Sequence, residues 1–301
     1  MRNQSILPQL RRTLSLLFLA LLLIPTAFAA GDRGIFWQAE KEGVTIYLLG
    51  SVHLATPDYY PLRERIEQAY RDSQALVVEA DVLAAEKDMA LQEKIMRASF
   101  YPGQRTLRDE LSAEVYARLR EWLQRRQIPE AMFVRQRPAI AMISLSMLEL
   151  RAQGLDPGLG IDRHFLKQAH RSGKPVLELE GVLAQLSMLN SLDDPNLLLD
   201  QTLEQLAEID SFVTRMTATW KSGDMEGLYE LVLGESLREH PEYAALYRVI
   251  FFDRNRNMAA KIARLDDRYK HLFVIVGAGH LTGDKSVISE LEKRGFALKQ
   301  L

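Results

Sequence analysis

Two stretches of this chain run from an apolar, strand-like segment directly into Gly-x-x-His. Tyr47-Leu48-Leu49-Gly50-Ser51-Val52-His53 is the first and Val274-Ile275-Val276-Gly277-Ala278-Gly279-His280 the second. A short continuous apolar run bounded by glycine is the mark of a strand buried on both faces, and the glycine lets the backbone turn sharply off its end. Both histidines are therefore expected just beyond the carboxyl ends of strands, the edge at which open α/β sheets collect ligands. The chain has only six histidines in 301 residues, so their shared setting is informative.

The remaining pattern supports such a sheet. Gly34–Glu40 and Val44–Leu49, separated by Lys41-Glu42-Gly43, read as a β-hairpin. Ala75–Glu79, Val176–Leu179 and Phe296–Leu298 are further short strands, and most of the sequence between them carries helical three-and-four spacing. This predicts an α/β fold: a mixed central sheet beginning with a β-hairpin, flanked by helices, with a long helical insertion or cap at about 182–268. A Met- and Leu-rich stretch at 139–150 is expected to be a core helix rather than a membrane span, because Arg135, Arg137, Pro138 and Glu149 accompany it. Residues 242–267 read as one long helix.

Arg2, Arg11 and Arg12 precede the apolar run Leu14–Ile24, Pro25 and Ala27-Phe28-Ala29, the order of a cleaved export signal. The expectation is that residues 1–29 are removed and that 30–301 form the α/β domain. The apolar run is shorter than the ~20 residues needed to cross a bilayer. The mature protein is thus expected to be periplasmic or secreted, with no stable membrane span, and membrane-anchored only if the segment is retained.

The chain contains no cysteine. Disulfides, thiolate nucleophiles and cysteine-held metals are therefore excluded, and any metal must be bound by His, Asp or Glu. Lys plus Arg against Asp plus Glu gives 38 − 40 = −2, which offers no basic footprint for nucleic acid. No His-Glu-x-x-His, Gly-x-Ser-x-Gly or complete dinucleotide fingerprint is present. Carboxylates end two other strands. Glu79 closes one, with Asp81 two residues on, while Glu178 and Glu180 share a face of another if that strand stays regular. A carboxylate after a buried strand must be paired, protonated or metal-bound. Two histidines with one or two such acids make a nitrogen/oxygen site acceptable to Zn, Mn, Co or Fe. An ion there could activate water without a side-chain nucleophile. On the 242–267 helix, Arg254 and Asn257 stand at i and i+3 and share a face.

Gly50-Ser51-Val52-His53, Val77-Val78-Glu79-Ala80-Asp81, Gly160-Ile161-Asp162, Gly173-Lys174-Pro175-Val176 with Leu179-Glu180 and Gln185, Arg254-Asn255-Arg256-Asn257-Met258 and Val276 through Asp284 occur in that order. Together they closely resemble the TraB/GumN (PrgY) family, over nearly all of residues 30–301. That family is related to the Tiki metalloproteases. The resemblance implies an α/β fold whose histidines and acids face one cleft, a divalent ion (Mn, Co or Zn), and metal-dependent hydrolysis, of peptide bonds above all. It marks His53, Glu79 and His280 as the groups that hold the ion, and Glu180 as a further ligand or the general base. Arg254 and Asn257 would steady a developing oxyanion or fix a carboxylate, with Asp162 and Gln185 in supporting positions. The implied partner is a peptide or small-molecule substrate. The alternative, from a different class, is a non-catalytic periplasmic binding protein for a peptide, metal complex or haem, to which Met132, Met142 and Met147 would offer soft groups.

Overall fold

The apolar runs assemble into one six-stranded sheet. In the computed structural model, residues 33–265 and 268–301 are described; the expected leader, residues 1–29, lies outside them. The strands are β1 (Phe36–Lys41), β2 (Val44–Ser51), β3 (Ala75–Val78), β4 (Val176–Glu178), β5 (His271–Gly277) and β6 (Ala297–Gln300), in the order β4-β3-β5-β2-β1-β6. β1 pairs antiparallel with β2 and β6, whereas β2, β3, β4 and β5 run parallel. The sheet is therefore mixed and begins with the expected hairpin.

Parallel strands are covered on both faces, and their sequences show it: Leu272 to Val276 and Ala75 to Val78 are buried without a break. One face is padded by the Ile161–Ser172 helix, whose Ile161, Phe165, Leu166 and Ala169 are fully buried. Phe165 and Tyr70 pack on Phe273, with ring centroids 5.0 and 5.6 Å apart. A second apolar core joins the helices Ala113–Arg125, Pro138–Ala152 and Pro195–Ala207 through Leu119, Trp122, Leu145 and Leu199. The helices of 182–265 thus share a core with earlier ones. In the Met-rich Pro138–Ala152 helix, Leu145 is buried, and the buried Glu149 accepts from Arg126 Nη2 at 2.7 Å. Among the described residues no helix is long and apolar enough to cross a membrane.

Two local expectations change. Residues 242–265, the described part of the expected 242–267 helix, do not form one helix. They break into a 3-10 turn at Pro241–Tyr243, a short helix at Ala244–Tyr247, a π-helical segment at Arg248–Phe252 and a helix at Asp253–Ala263. The other change concerns Glu178 and Glu180. β4 ends at Glu178, and Gly181 turns the chain with φ of 100°. Glu178 accepts from the Asp81 N–H at 2.7 Å, whereas Glu180 is bound by Arg254. The two acids therefore serve separate networks and do not share a strand face.

Candidate active site

The register of the parallel strands determines which tips meet. Ser51 is paired with Gly277, Val78 with Ile275 and also with Glu178. Because β5 lies between β3 and β2, His280 emerges in the centre, with Glu79 on one side and His53 on the other.

Glu79 is the hub. Its Oε1 accepts the Gly277 N–H at 2.6 Å and faces His280 Nε2 at 3.9 Å. Its Oε2 accepts from Arg254 Nη2 at 2.6 Å and Gln185 Nε2 at 2.9 Å. Arg254 also grips Glu180 through Nε at 2.9 Å and Nη2 at 2.7 Å, and donates Nη1 to the Ile250 carbonyl in the π-helical segment at 3.1 Å. Gln185 donates to Glu180 as well, at 2.9 Å. Burial alone would raise the Glu79 carboxyl. The imidazole of His280, the guanidinium of Arg254, His53 and the Gly277 N–H outweigh it and bring the carboxyl down to about 2. Burial likewise opposes the charge on Arg254, but Glu180 and Glu79 hold it above its ordinary value.

The two histidines occupy unlike settings. His280 is 5% exposed, its ring 5.1 Å from that of Phe251. Burial pushes its imidazole down to about 4, against the pull of Glu79. Its Nδ1 meets Asn255 Oδ1 at 2.6 Å. His53 opens onto the cleft, its side chain 64% exposed, with Nδ1 3.4 Å from Asp162 Oδ2. The Asp162 carboxylate pushes the His53 imidazole up to about 9 against desolvation. Asp162, for its part, sits below the usual carboxylate range, because the charge of His53 outweighs its burial.

The Gly160-Ile161-Asp162 tripeptide is what seats His53. Ile161 N–H donates to the Val52 carbonyl at 3.0 Å. A Cβ on Gly160 would collide with the His53 carbonyl oxygen, closer than any side chain permits. Only glycine allows the Ile161–Ser172 helix to bring Asp162 against the ring.

The cleft has two lobes, of about 430 and 440 Å³, which share Ser51, His53, Leu54, Glu79, Leu150 and Gln185. Beyond those groups one lobe is walled by Val82, Met142, Ile143 and Met147, the other by Met188, Phe212, Met216 and Phe251. Other residues singled out by the sequence pattern face elsewhere. Glu180 and Asn257 line a neighbouring depression with Lys261 and Arg264, where Asn257 is exposed. Asp81 caps the next helix through Ala84 N and pairs with His170 at 2.8 Å. Met132 is 58% exposed and lines neither lobe. Asn255, which holds His280, is a site residue that the sequence pattern does not single out. The signal available for it is its position on the buried face formed with Met258, Ala259 and Ile262, where a polar side chain must find a partner.

His53, Glu79 and His280 suit a divalent ion in donor type. Each imidazole has its Nδ1 against a side-chain oxygen, the arrangement usual for metal-ligating histidines, while His280 Nε2 faces a carboxylate oxygen. Arg254 pairs with two of the neighbouring acids, Glu79 and Glu180, while Asp162 pairs with His53. Among the described residues no three such groups converge as a ready coordination sphere, so binding would require the side chains to draw together.

A family model described as the TraB/PrgY/gumN family matches residues 35–300. Uncharacterized protein YbaP of Escherichia coli (strain K12) is 30% identical over 242 residues, covering 79% of this chain and 84% of YbaP. Metalloprotease TIKI1 of Danio rerio is 24% identical over 321 residues, 89% of this chain and 63% of TIKI1. The Metalloprotease TIKI homolog of Nematostella vectensis is 23% identical over 307 residues, 83% of this chain and 63% of that protein. No solved structure matches. The order of the strand-tip motifs and a match that runs from β1 to β6 lead to one assignment: this chain belongs to the TraB/PrgY/gumN family.

Proposed function

We propose that this protein is an exported, metal-dependent hydrolase of peptide bonds. The observation that carries the reading is the facing pair of His280 Nε2 and Glu79 Oε1, 3.9 Å apart at the floor of the cleft that His53 also lines. Similarity to the Tiki metalloproteases supports it. His53, Glu79 and His280 would hold the ion, which in such a site supplies Lewis acidity and makes a water acidic enough to attack near neutral pH. Arg254 keeps the Glu79 carboxylate ionised and aimed at the cleft, and Glu180, to which Gln185 also donates, fixes Arg254 in turn. The apolar walls on both sides of this polar centre suit a peptide whose side chains flank the scissile bond on either side, each lobe being large enough for bulky residues.

The test is hydrolysis of a diverse peptide library by protein loaded with Zn, Mn or Co, with metal content measured for wild type, His53→Ala, His280→Ala and Glu180→Gln. Both histidine variants should lose metal and activity together. Glu180→Gln, which keeps a shape able to bind Arg254, should retain the metal and lose less than the ~10²–10⁴-fold expected if Glu180 were the general base. Tight retention of peptides without cleavage by the loaded wild type would sink the hydrolase reading in favour of a binding protein.

A further inference from the structure

The hydrogen bonds behind His280 can run in one direction only. They start at the Lys285 carbonyl, a group that accepts and cannot donate. Asn255 is 1% exposed and donates its Nδ2 to that carbonyl at 2.8 Å. Its amide orientation is thereby set, and Oδ1, likewise an acceptor, is the atom presented to His280 Nδ1 at 2.6 Å. Nδ1 must carry the hydrogen. In the neutral ring the lone pair is then on Nε2, the atom that faces Glu79 Oε1 at 3.9 Å. Two acceptors confront each other across a gap that no hydrogen bond among the described residues bridges: the Glu79 oxygens take their hydrogens from Gly277, Arg254 and Gln185.

We propose that Asn255 is a positioning residue that locks His280 in the Nδ1–H tautomer, so that Nε2 faces Glu79 as a bare donor to a cation. The proposal rests on the reading of His280 and Glu79 as ligands. It deepens that reading by naming what makes His280 competent. The second histidine has a different partner, since His53 Nδ1 lies 3.4 Å from an oxygen of the Asp162 carboxylate, whereas the neutral amide of Asn255 fixes a tautomer and adds no charge. Which ring nitrogen is free is set by the hydrogen bond the other makes. Without Asn255 the ring can turn its N–H toward the Glu79 carboxylate, which would close the gap with an internal hydrogen bond and occupy the coordinating nitrogen.

The direct test is side-chain ¹⁵N NMR of the metal-free full-length protein at about pH 7.5, about a unit above the ordinary histidine value. His280 should show a protonated Nδ1 and a bare, pyridine-like Nε2. Asn255→Ala should shift the signal toward the Nε2–H form and weaken Co²⁺ binding roughly 10–100-fold, the usual effect of removing a ligand's supporting partner. Asn255→Asp, which keeps an acceptor oxygen against Nδ1 but loses the donor to Lys285, should keep Nδ1 protonated. A wild-type spectrum with Nε2 protonated would overturn the proposal, as would Asn255→Ala retaining both tautomer and Co²⁺ affinity. If Asn255→Ala does not fold, the wild-type spectrum still decides. No substrate enters this measurement, so a protein that cleaves nothing leaves the tautomer standing, and a wrong tautomer leaves the hydrolase reading to its own test.

Discussion

Arg254 lies between two carboxylates and donates to both, and its removal should expose a specific pH-dependent weakness. Its side chain is 16% exposed, that of Glu79 11% and that of Glu180 16%. Arg254→Met keeps the length of the stem and deletes every donor. Both acids then retain only the Gln185 amide in common, at 2.9 Å from each. Since Glu79 Oε2 and Glu180 Oε2 lie 2.6 and 2.7 Å from the same Nη2, they can be no more than about 5 Å apart, and at an effective dielectric of about 20 their repulsion is roughly 3 kcal/mol. With the lost hydrogen bonds, this falls within the ~3–5 kcal/mol typical of breaking a buried pair from one side. The variant can relieve the strain by protonating one of the two acids, whose folded-state pKa then exceeds its unfolded value. The folded variant thus binds more protons than the unfolded chain, so the deficit is full at alkaline pH and shrinks as pH falls toward about 5. Urea denaturation of metal-free wild type and variant between about pH 5 and 8 measures it. A deficit that is the same at every pH, or under about 1 kcal/mol at pH 8, would refute the view that Arg254 neutralises both acids.

Other expectations rest on single contacts. Gly160→Ala must push the His53 backbone away from the added methyl; metal affinity should fall at least tenfold with the global fold retained, and wild-type affinity would show that the close approach does not seat His53. In the metal-free protein, His280 at about 4 means that the unfolded chain takes up a proton the folded one refuses as pH drops from 6.5. Stability should decline by roughly 3 kcal/mol between those values, and His280→Gln should abolish that limb of a melting-temperature profile. His53, raised to about 9, acts oppositely, with its contribution present below 6.5 and lost as pH rises through 9. Because its ring is open to solvent, high salt should flatten that limb, and a salt-insensitive limb would exclude the Asp162 pair as its source. Amino-terminal sequencing of exported material should begin at Ala30; recovery of intact Met1 chains from membranes would favour a retained anchor.

The histidines, Glu79 and the mixed sheet were legible in the sequence because burial on both faces leaves an unmistakable apolar run, and the residues just past such a run must stand at the sheet's edge. Glu180 was harder. Its alternation with Glu178 looks like a continuing strand, yet the backbone leaves the sheet after Glu178 and turns at Gly181, whose φ of 100° favours glycine. The i, i+3 relation of Arg254 and Asn257 is real, but only the long arginine stem reaches the carboxylates, and the short amide of Asn257 stays at the surface. The π-helical segment at Arg248–Phe252 was invisible because an inserted residue leaves the three-and-four pattern nearly intact. It lets Phe251 crowd the loop below it: a Cβ on Gly279 would lie 3.0 Å from the Phe251 ring and from Val232.

The placement of β5 has a consequence for how the molecule comes into being. The strand that fills the middle of the sheet is synthesised long after both of its neighbours, and the Gly277 amide it contributes meets a carboxylate 198 residues earlier in the chain. Until residues 271–277 arrive, β2 and β3 have no common neighbour, and each offers an unpaired edge to other chains. Closing so long a loop makes assembly slow and leaves the growing polypeptide dependent on protection from aggregation. The same delay governs the cleft: no fragment that stops short of β5 contains His280, so the strand tips that carry His53 and Glu79 gain their third member only as the middle of the sheet is filled.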